Sequence, residues 1–211
     1  PPMFQRLRGD ALVLSFGHLY GVFEPDELGV DTVDVEALRD VCSAASSENM
    51  ADAYLWGGTA LAKRDLQEEA LAWFEAAEKS LPESLGHVLA NNWGVALNGA
   101  AGLEREAGNV ERARELWEEA FERYGRALEI EPDSYQAANN WGLALKGAAG
   151  LEREAGNPER ARELWEEAFE RYGRALEIKP DLHEAAYNWG LALDGAAGLE
   201  REAGNVERAR E

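Results

Sequence analysis

The chain has 211 residues, of which 41 are acidic and 21 are basic, giving a formal net charge of −20. A surface this negative repels phosphate groups, so neither nucleic acid nor a membrane is an expected partner, and no apolar run is long enough to span a bilayer. Cys42 is the only cysteine, which excludes an internal disulfide and a cysteine-rich metal site and favours a reducing, cytoplasmic location.

The N-terminal fifth, residues 1–50, is predicted to form a helical cap. Residues 10–23 are mainly apolar, with large side chains recurring on one helical face. Residues 34–45 follow as a second predicted helix, which Asp34 is expected to cap. The turn at residues 24–29 separates the two. Together they are expected to form a degenerate hairpin that covers the apolar side of the following segment.

From residue 86 onward the sequence repeats itself. Trp93, Trp141 and Trp189 lie 48 residues apart, and 40 of the 48 positions in residues 92–139 recur in residues 140–187. Identity at this level indicates tandem duplication or design. One structural unit is therefore expected for every copy.

Each copy is predicted to form two helices. The first runs over residues 135–155 and ends at Gly156, a residue typical of helix C-termini. Asn157 is expected to cap the next helix and Pro158 to begin it, because proline at a first helical position loses no hydrogen bond. The second helix is predicted to extend to Ile178, with apolar residues at helical spacing. Such a hairpin cannot bury its apolar face alone, so successive copies must stack.

A spaced set of small and aromatic residues links residues 51–85 to the long copies. In the short segment the intervals are 12, 4, 3 and 5 residues, over Gly58, Ala70, Phe74, Ala77 and Pro82. In a long copy they are 26, 4, 3 and 5 residues, over Gly142, Ala168, Tyr172, Ala175 and Pro180. Only the first interval has grown, by 14 residues, which is close to four helical turns and keeps every face in register.

These sets resemble the signature of the tetratricopeptide repeat, whose usual unit has about 34 residues. The resemblance covers residues 51–211 and implies an all-α fold, a right-handed α-solenoid of antiparallel helical hairpins. We therefore divide the chain into a cap at 1–50, an ordinary repeat at 51–85 and extended 48-residue repeats at 86–211, the last one incomplete. Because the family is chiefly a protein-binding scaffold, the resemblance implies a protein or peptide partner.

Residues with catalytic or metal-binding chemistry are present but scattered. His87 and His183 occupy the same repeat position two units apart, too distant to share one metal ion. Acidic residues such as Glu166, Glu167 and Glu170 alternate with arginines on the polar face of a predicted helix, which is typical of solvated surface. No nucleophile and base share a copy, and no phosphate-binding loop is present. We expect no enzyme activity, no metal and no cofactor.

The copies differ mainly on one face of the first helix. Five of the eight differences between the two complete copies lie on that helix, and positions at intervals of 3, 4 and 3 share one face. In tetratricopeptide proteins this face lines the concave groove, so the resemblance implies that the copies differ where a ligand would contact them. Free drift of exposed positions is the alternative. The predicted contact residues, called the groove strip, are Asn91, Val95, Asn98, Gln136, Asn139, Leu143, Lys146, Glu184, Tyr187, Leu191 and Asp194.

An asparagine also recurs once per copy beside the groove strip, at Asn92, Asn140 and Asn188. An amide donates and accepts hydrogen bonds at once, so such a ladder suits the backbone of an extended peptide. Some tetratricopeptide proteins use one in this way, and we include all three residues in the predicted partner-binding site. The alternative, a structural asparagine that bonds neighbouring helices, is favoured by the pattern alone.

The sequence thus predicts a non-catalytic scaffold whose concave groove binds a peptide or a partner protein. Two alternatives stay open: a unit that assembles end to end with other chains, and the sensor or regulatory arm of a larger protein. The last copy stops at Glu211, within a predicted second helix, so Leu191, Leu193 and Leu199 of its first helix are expected to be covered by further residues or by another chain. A homo-oligomer through this unfinished hairpin is one expected form.

Overall fold

The helices follow the predicted two-helix pattern. The computed structural model describes residues 55, 58–59, 67–79, 85–205 and 209. These residues contain no strand. Leu55, Gly58 and Thr59 are helical, and six further helices have described bounds, numbered in chain order as α1 Gln67–Glu78, α2 Gly86–Glu106, α3 Val110–Ile130, α4 Tyr135–Glu154, α5 Pro158–Ile178 and α6 His183–Glu202. The all-α class of repeated helical hairpins is confirmed. The cap predicted over residues 1–50 lies outside the described residues.

The boundaries of the long helices agree closely with the sequence pattern. The second helix of its copy, α5, spans Pro158–Ile178 as predicted, and the first helix, α4, spans Tyr135–Glu154 and ends one residue earlier than predicted. Gly156 follows with a φ of +78°, the left-handed conformation that favours glycine, and Gly108 and Gly204 adopt it at the equivalent turns. We call α2, α4 and α6 the first helices, and α3 and α5 the second helices.

The predicted cap at Asn157 is wrong in one respect. Asn157 occupies the position before α5, but its side chain makes no capping hydrogen bond. Its Nδ2 instead donates to Glu152 Oε2 of the preceding helix over 2.7 Å. The asparagine therefore ties the turn to α4, and α5 begins at Pro158, which has no backbone N–H to satisfy.

The chain divides into two compact units, residues 1–99 and 100–211, with the division inside α2. In the first unit the ring of Phe74 stacks on that of Trp93, with 6.2 Å between the ring centroids. The same ring lies against Gly58, where an added Cβ would stand 2.8 Å from Phe74 Cε1. The signature residues that are fully buried in this unit are Ala70, Phe74 and Ala77.

In the second unit, α5 lies between two first helices. It packs against α4 and α6, while α4 also packs against α3. The predicted apolar stripe of the second helices is confirmed except at Leu176, which is only half-buried. The other stripe side chains are buried in the interior. They are Ala113, Leu116, Trp117, Ala120, Tyr124 and Ala127 on α3, and Ala161, Leu164, Trp165, Ala168, Tyr172 and Ala175 on α5.

Glycines on the first helices allow the aromatic rings of the second helices to come close. An added Cβ on Gly142 would stand 2.8 Å from the ring of Tyr172 in the same hairpin. An added Cβ on Gly195 of α6 would stand 3.1 Å from the Trp165 ring, which belongs to the preceding hairpin. The first contact therefore closes a hairpin, and the second joins one hairpin to the next.

Trp165→Ala should lower the free energy of unfolding by about 3–5 kcal/mol, as large-to-small changes at buried aromatic positions do, because the ring is 3% exposed. Urea unfolding followed by circular dichroism measures the change. Glu170→Ala on the exposed side of the same helix is the control and should shift the value by less than about 0.5 kcal/mol. Equal unfolding midpoints for the two variants would place the Trp165 ring outside the core.

Candidate functional site

A buried carboxylate stands at each junction between hairpins of the second unit. Glu152 of α4 accepts two hydrogen bonds from Arg114 of α3, over 2.6 Å from Nε and 3.0 Å from Nη2, and a third from Asn157. At the next junction Glu200 of α6 accepts a hydrogen bond from Arg162 of α5 over 2.7 Å, and another from the asparagine of the following turn. A buried charge is stable only when it is paired and fully hydrogen-bonded. These contacts therefore fix how each hairpin sits on the one before it.

A second ion pair repeats nearer the surface. Arg153 of α4 pairs with Glu202 of α6 over 3.1 Å. Arg105 of α2 pairs in the same way with Glu154 of α4, its Nε donating to Oε2 over 3.0 Å. These pairs join consecutive first helices directly, so α4 and α6 lie side by side.

One hydrogen bond joins the groove strips of α4 and α6. Asn139 Nδ2 donates to Glu184 Oε1 over 3.4 Å. Asn139 is only 4% exposed, so the expectation of an exposed contact residue is not met at this position. Burial raises the pKa of the Tyr172 phenol well above its ordinary value, and the nearby Glu184 carboxylate raises it further. Glu184, itself a strip residue, thus contacts the strip of α4 through Asn139 and lies near the buried Tyr172.

The other strip residues of these two helices reach the surface to different degrees. On α4, Leu143 and Lys146 are half-buried and Gln136 is exposed. On α6 all four positions are exposed, namely Glu184, Tyr187, Leu191 and Asp194. The larger open surface is therefore on α6.

In the first unit, the strip residue Val95 is exposed, while Asn91 and Asn98 are half-buried. Asn92 Nδ2 donates to Thr59 Oγ1 over 2.9 Å, and Asn92 Oδ1 accepts from Asn91 Nδ2 over 3.1 Å. Both polar atoms of the Asn92 side chain are thus used inside the unit. This agrees with the structural interpretation of the recurring asparagine.

The two later asparagines of the ladder are also withdrawn from solvent. Asn140 is half-buried, and Asn188 is buried on α6. Neither therefore offers a fully exposed amide to a peptide backbone. The repeat spacing identifies these asparagines as equivalent positions. It does not show that a neighbouring helix covers them.

Lys146 is a half-buried cation of the groove strip. Burial lowers the pKa of its ammonium group, and within residues 85–205 no carboxylate lies at ion-pair distance from it. At the equivalent position of α6, Asp194 is exposed and pairs with Arg201 over 3.4 Å. Adjacent first helices thus carry opposite charges at the same repeat position.

Large apolar side chains are exposed on the first helices alone within the described part of the chain. The second helices α3 and α5 expose none, whereas α2 and α6 expose Val95, Leu103, Tyr187, Leu191 and Leu193. Three of the five belong to the groove strip. The sequence does not predict the exposure of Leu103. Its repeat equivalents Leu151 and Leu199 are buried, and all three lie in the same local sequence.

The acidic side chains singled out on α5 lie at its surface. Glu166 and Glu170 are exposed on α5, and Glu167 pairs with Arg171 over 3.1 Å, as expected of a solvated face. Among the residues described, no group of three histidine, cysteine or acidic side chains could hold a metal ion. In the same residues, no helix is both long enough and apolar enough to cross a membrane.

Comparison with known families agrees with this geometry. A tetratricopeptide-repeat family profile matches residues 93–134 and 148–181. These two stretches are tetratricopeptide repeats, so this part of the chain belongs to that family. The signature glycine and aromatic residues make the close contact seen between Gly142 and Tyr172, and these repeats differ from the ordinary unit in the length of their helices.

No curated protein sequence matches the chain significantly. Among solved structures, a monomeric mutant of IFIT1 with Gppp-AAAA has a TM-score of 0.35 and 18% sequence identity. The match covers 83% of this chain and 44% of that one, so the chain spans less than half the length of that structure.

Glu152→Gln should lower the unfolding free energy at neutral pH by about 1.5–3 kcal/mol, the usual contribution of a hydrogen bond to a charged group. The hydrogen bonds from Arg114 hold the pKa of the Glu152 carboxyl below its ordinary value of 4.5, although burial opposes them. Its stabilisation is therefore fully present above about pH 4.5 and is lost as the pH falls through the folded-state pKa. The wild type and the variant should converge in stability in acid.

Urea unfolding at a series of pH values tests this expectation. Glu163→Gln is the matched control. Glu163 is exposed, and its ion pair with Arg160, over 2.9 Å, lies within α5. An exposed pair of this kind contributes about 0–1 kcal/mol. If the free energies of unfolding of Glu152→Gln and the wild type differed by the same amount at every pH, the lowered pKa of Glu152 would be contradicted.

Proposed function

We propose that the chain binds a peptide or a partner protein along the groove strips of its first helices. The position of the exposed apolar side chains is the observation that carries this proposal, since they lie on the first helices while α3 and α5 expose a charged face. Apolar groups surrounded by polar residues typically mark interaction surfaces. Tetratricopeptide repeats are chiefly non-catalytic scaffolds for protein interaction, which agrees with this use.

The strip of α6 provides an apolar anchor site. Tyr187 is 67% exposed and Leu191, one helical turn further on, is 44% exposed. Glu184 and Asp194 lie on either side of them along the helix. Tyrosine is a frequent anchor at protein interfaces, because its ring buries a large apolar area while its hydroxyl can still form a hydrogen bond. A partner is expected to place an apolar side chain here.

The strip of α4 provides a site for an anionic group. Lys146 is half-buried and lacks a carboxylate partner within residues 85–205, so an incoming carboxylate would offset the partial desolvation of its ammonium group. Packed helices lie about 8–10 Å apart. Lys146 also lies seven residues further along its helix than the position equivalent to Tyr187, about 10 Å of axial rise, so the partner is expected to present an acidic group more than about 10 Å from the side chain that contacts Tyr187.

The asparagines have a supporting role in this proposal. Asn139 lies below the surface and its Nδ2 donates to Glu184, so it positions that carboxylate rather than contacting the partner. Asn92 bonds within the first unit, and Asn140 and Asn188 are withdrawn from solvent. The absence of enzyme activity, the avoidance of nucleic acid and the cytoplasmic location stay predictions from the sequence.

A displayed library of random peptides, selected on the purified chain, tests the proposed groove. Selected peptides should combine an aromatic or aliphatic residue with an acidic one. Lys146→Ala and Tyr187→Asn should each weaken a selected peptide about tenfold or more, as removal of a central contact does. Asparagine is the matched replacement for Tyr187, because it stands at that position in both other copies.

Glu122→Ala and Glu170→Ala are the control variants, since both residues are exposed on the second helices. They should leave the affinity unchanged. Peptides that bind equally well after Lys146 and Tyr187 are changed together would move the site away from the groove strip. Fluorescence anisotropy of the labelled peptide gives the dissociation constant in each case.

A further inference from the structure

The junction of α4 and α6 is complete on the side where α6 meets the hairpin before it. Leu199 of α6 is 5% exposed, close to the 3% of its equivalent Leu151. The expectation that Leu199 needs further residues or another chain to cover it is therefore wrong, because the preceding hairpin covers it. Gln136 is exposed although α6 follows its helix, so the exposure of its equivalent Glu184 does not depend on whether another helix follows α6.

Two groups of opposite charge lie on the groove strips at this junction. Glu184 is exposed and is oriented by Asn139, whose Nδ2 donates to it over 3.4 Å. Lys146 is half-buried and lies seven residues after Asn139 on α4, about 10 Å further along the helix axis. Asp194, at the equivalent position of α6, pairs with Arg201 over 3.4 Å, so its charge is compensated. The groove thus presents one negative end and one positive end.

The strip between the two charges offers little to a peptide backbone. Leu143, half-buried, lies one turn before Lys146, and its equivalent Leu191 is 44% exposed. The recurring asparagines are withdrawn, since Asn140 is half-buried and Asn188 is 8% exposed. An extended segment needs partners for its backbone N–H and C=O groups, whereas a helix satisfies its own. The groove is therefore better suited to a helix than to an extended peptide.

We propose that the partner segment is an amphipathic helix lying along α4 and α6, with an acidic residue at Lys146 and a basic residue at Glu184. This inference rests on the proposed function of the groove strip and adds the conformation, the charge order and the direction of the partner. Apolar side chains in the turns between the two charges would cover Leu143 and Leu191.

The distance between the two groove charges sets the spacing of the charges in the partner. Their axial separation is about 10 Å and packed helices lie about 8–10 Å apart, so the two groups are about 10–15 Å from each other. In a helix, residues seven or eleven positions apart are separated by about 10 or 16 Å and share one face. In an extended segment the same distance spans only about three to five residues.

The helix dipole sets the direction of the partner. Acidic residues stabilise the first turn of a helix and basic residues the last turn. The partner helix is therefore expected to begin beside Lys146 and to end beside Glu184. Because α4 runs the other way, from Asn139 towards Lys146, the partner helix should be antiparallel to α4.

A displayed library of random 20-residue peptides tests the inference. It is selected on the full chain and depleted on a double variant, Lys146→Asn with Glu184→Gln. Both replacements stand at equivalent positions of other copies, as Asn98 and Gln136, so the double variant should fold. Selected peptides should carry an acidic residue followed, seven or eleven positions later, by a basic one. Isolated helices of this length are marginally stable in water, so circular dichroism should show a gain of helix on mixing.

Double-mutant cycles on a selected peptide assign each charge. Replacing its acidic residue by the amide should weaken binding about fivefold or more in the wild type and have little effect in Lys146→Asn. Replacing its basic residue by glutamine should behave in the same way with Glu184→Gln, and the crossed combinations should be additive. The peptide of reversed sequence has the same composition and spacing and should bind about tenfold or more weakly. Glu163→Gln, which removes an exposed charge of α5, should leave the affinity unchanged.

Failure of this inference is distinct from failure of the proposed function. Peptides that depend on Lys146 and Tyr187 but gain no helix, or whose charges lie three to five positions apart, would keep the groove and overturn the helical partner. A basic residue uncoupled from Glu184, or a reversed peptide of equal affinity, would overturn the charge order and the direction. A library that yields no peptide dependent on the groove strip would overturn both proposals.

Discussion

The contact between a glycine of one helix and an aromatic ring of the next is the constraint that brings the two helices together in both forms of the repeat. It is the same in the short repeat, between Gly58 and Phe74, and in the long repeat, between Gly142 and Tyr172. A side chain on either glycine would stand within 3 Å of the ring and force the helices apart. The long repeat has about four more helical turns than the short one. Because this is close to a whole number of turns, the same helix faces still meet, and the longer helices keep this contact while adding surface on either side of it.

Repeat spacing was enough to predict the hairpins, the ends of α5 and the buried stripe that includes Leu164 and Trp165. These features depend on interactions within one copy, where helical period and turn residues act locally. The expected cap at Asn157 is wrong, because an amide side chain can donate as well as accept. A capping side chain accepts a hydrogen bond from a backbone N–H in the first helical turn. Asn157 instead donates from Nδ2 to the charged and buried carboxylate of Glu152, and a hydrogen bond to a charged group is the stronger kind.

The candidate site was less predictable, since exposure depends on neighbours that a comparison of copies does not see. Asn139 and Tyr187 occupy the same repeat position, yet one is buried beside the next first helix and the other is largely exposed. Leu145 and Leu193 differ in the same way. Identical sequence fixes the shape of a helix surface, while the position of the copy in the array decides whether that surface is covered.

The sequences of α3 and α5 differ only at their first residue, Val110 in one and Pro158 in the other. Their buried faces therefore give the folding chain no means of telling the two helices apart. The choice of partner falls to chain connectivity: the turn at residues 155–157 holds α5 beside α4, and closing a short loop costs less entropy than closing one lengthened by a whole copy. That preference grows only slowly with loop length, so interchangeable helices leave the chain open to exchange of hairpins between molecules at high concentration.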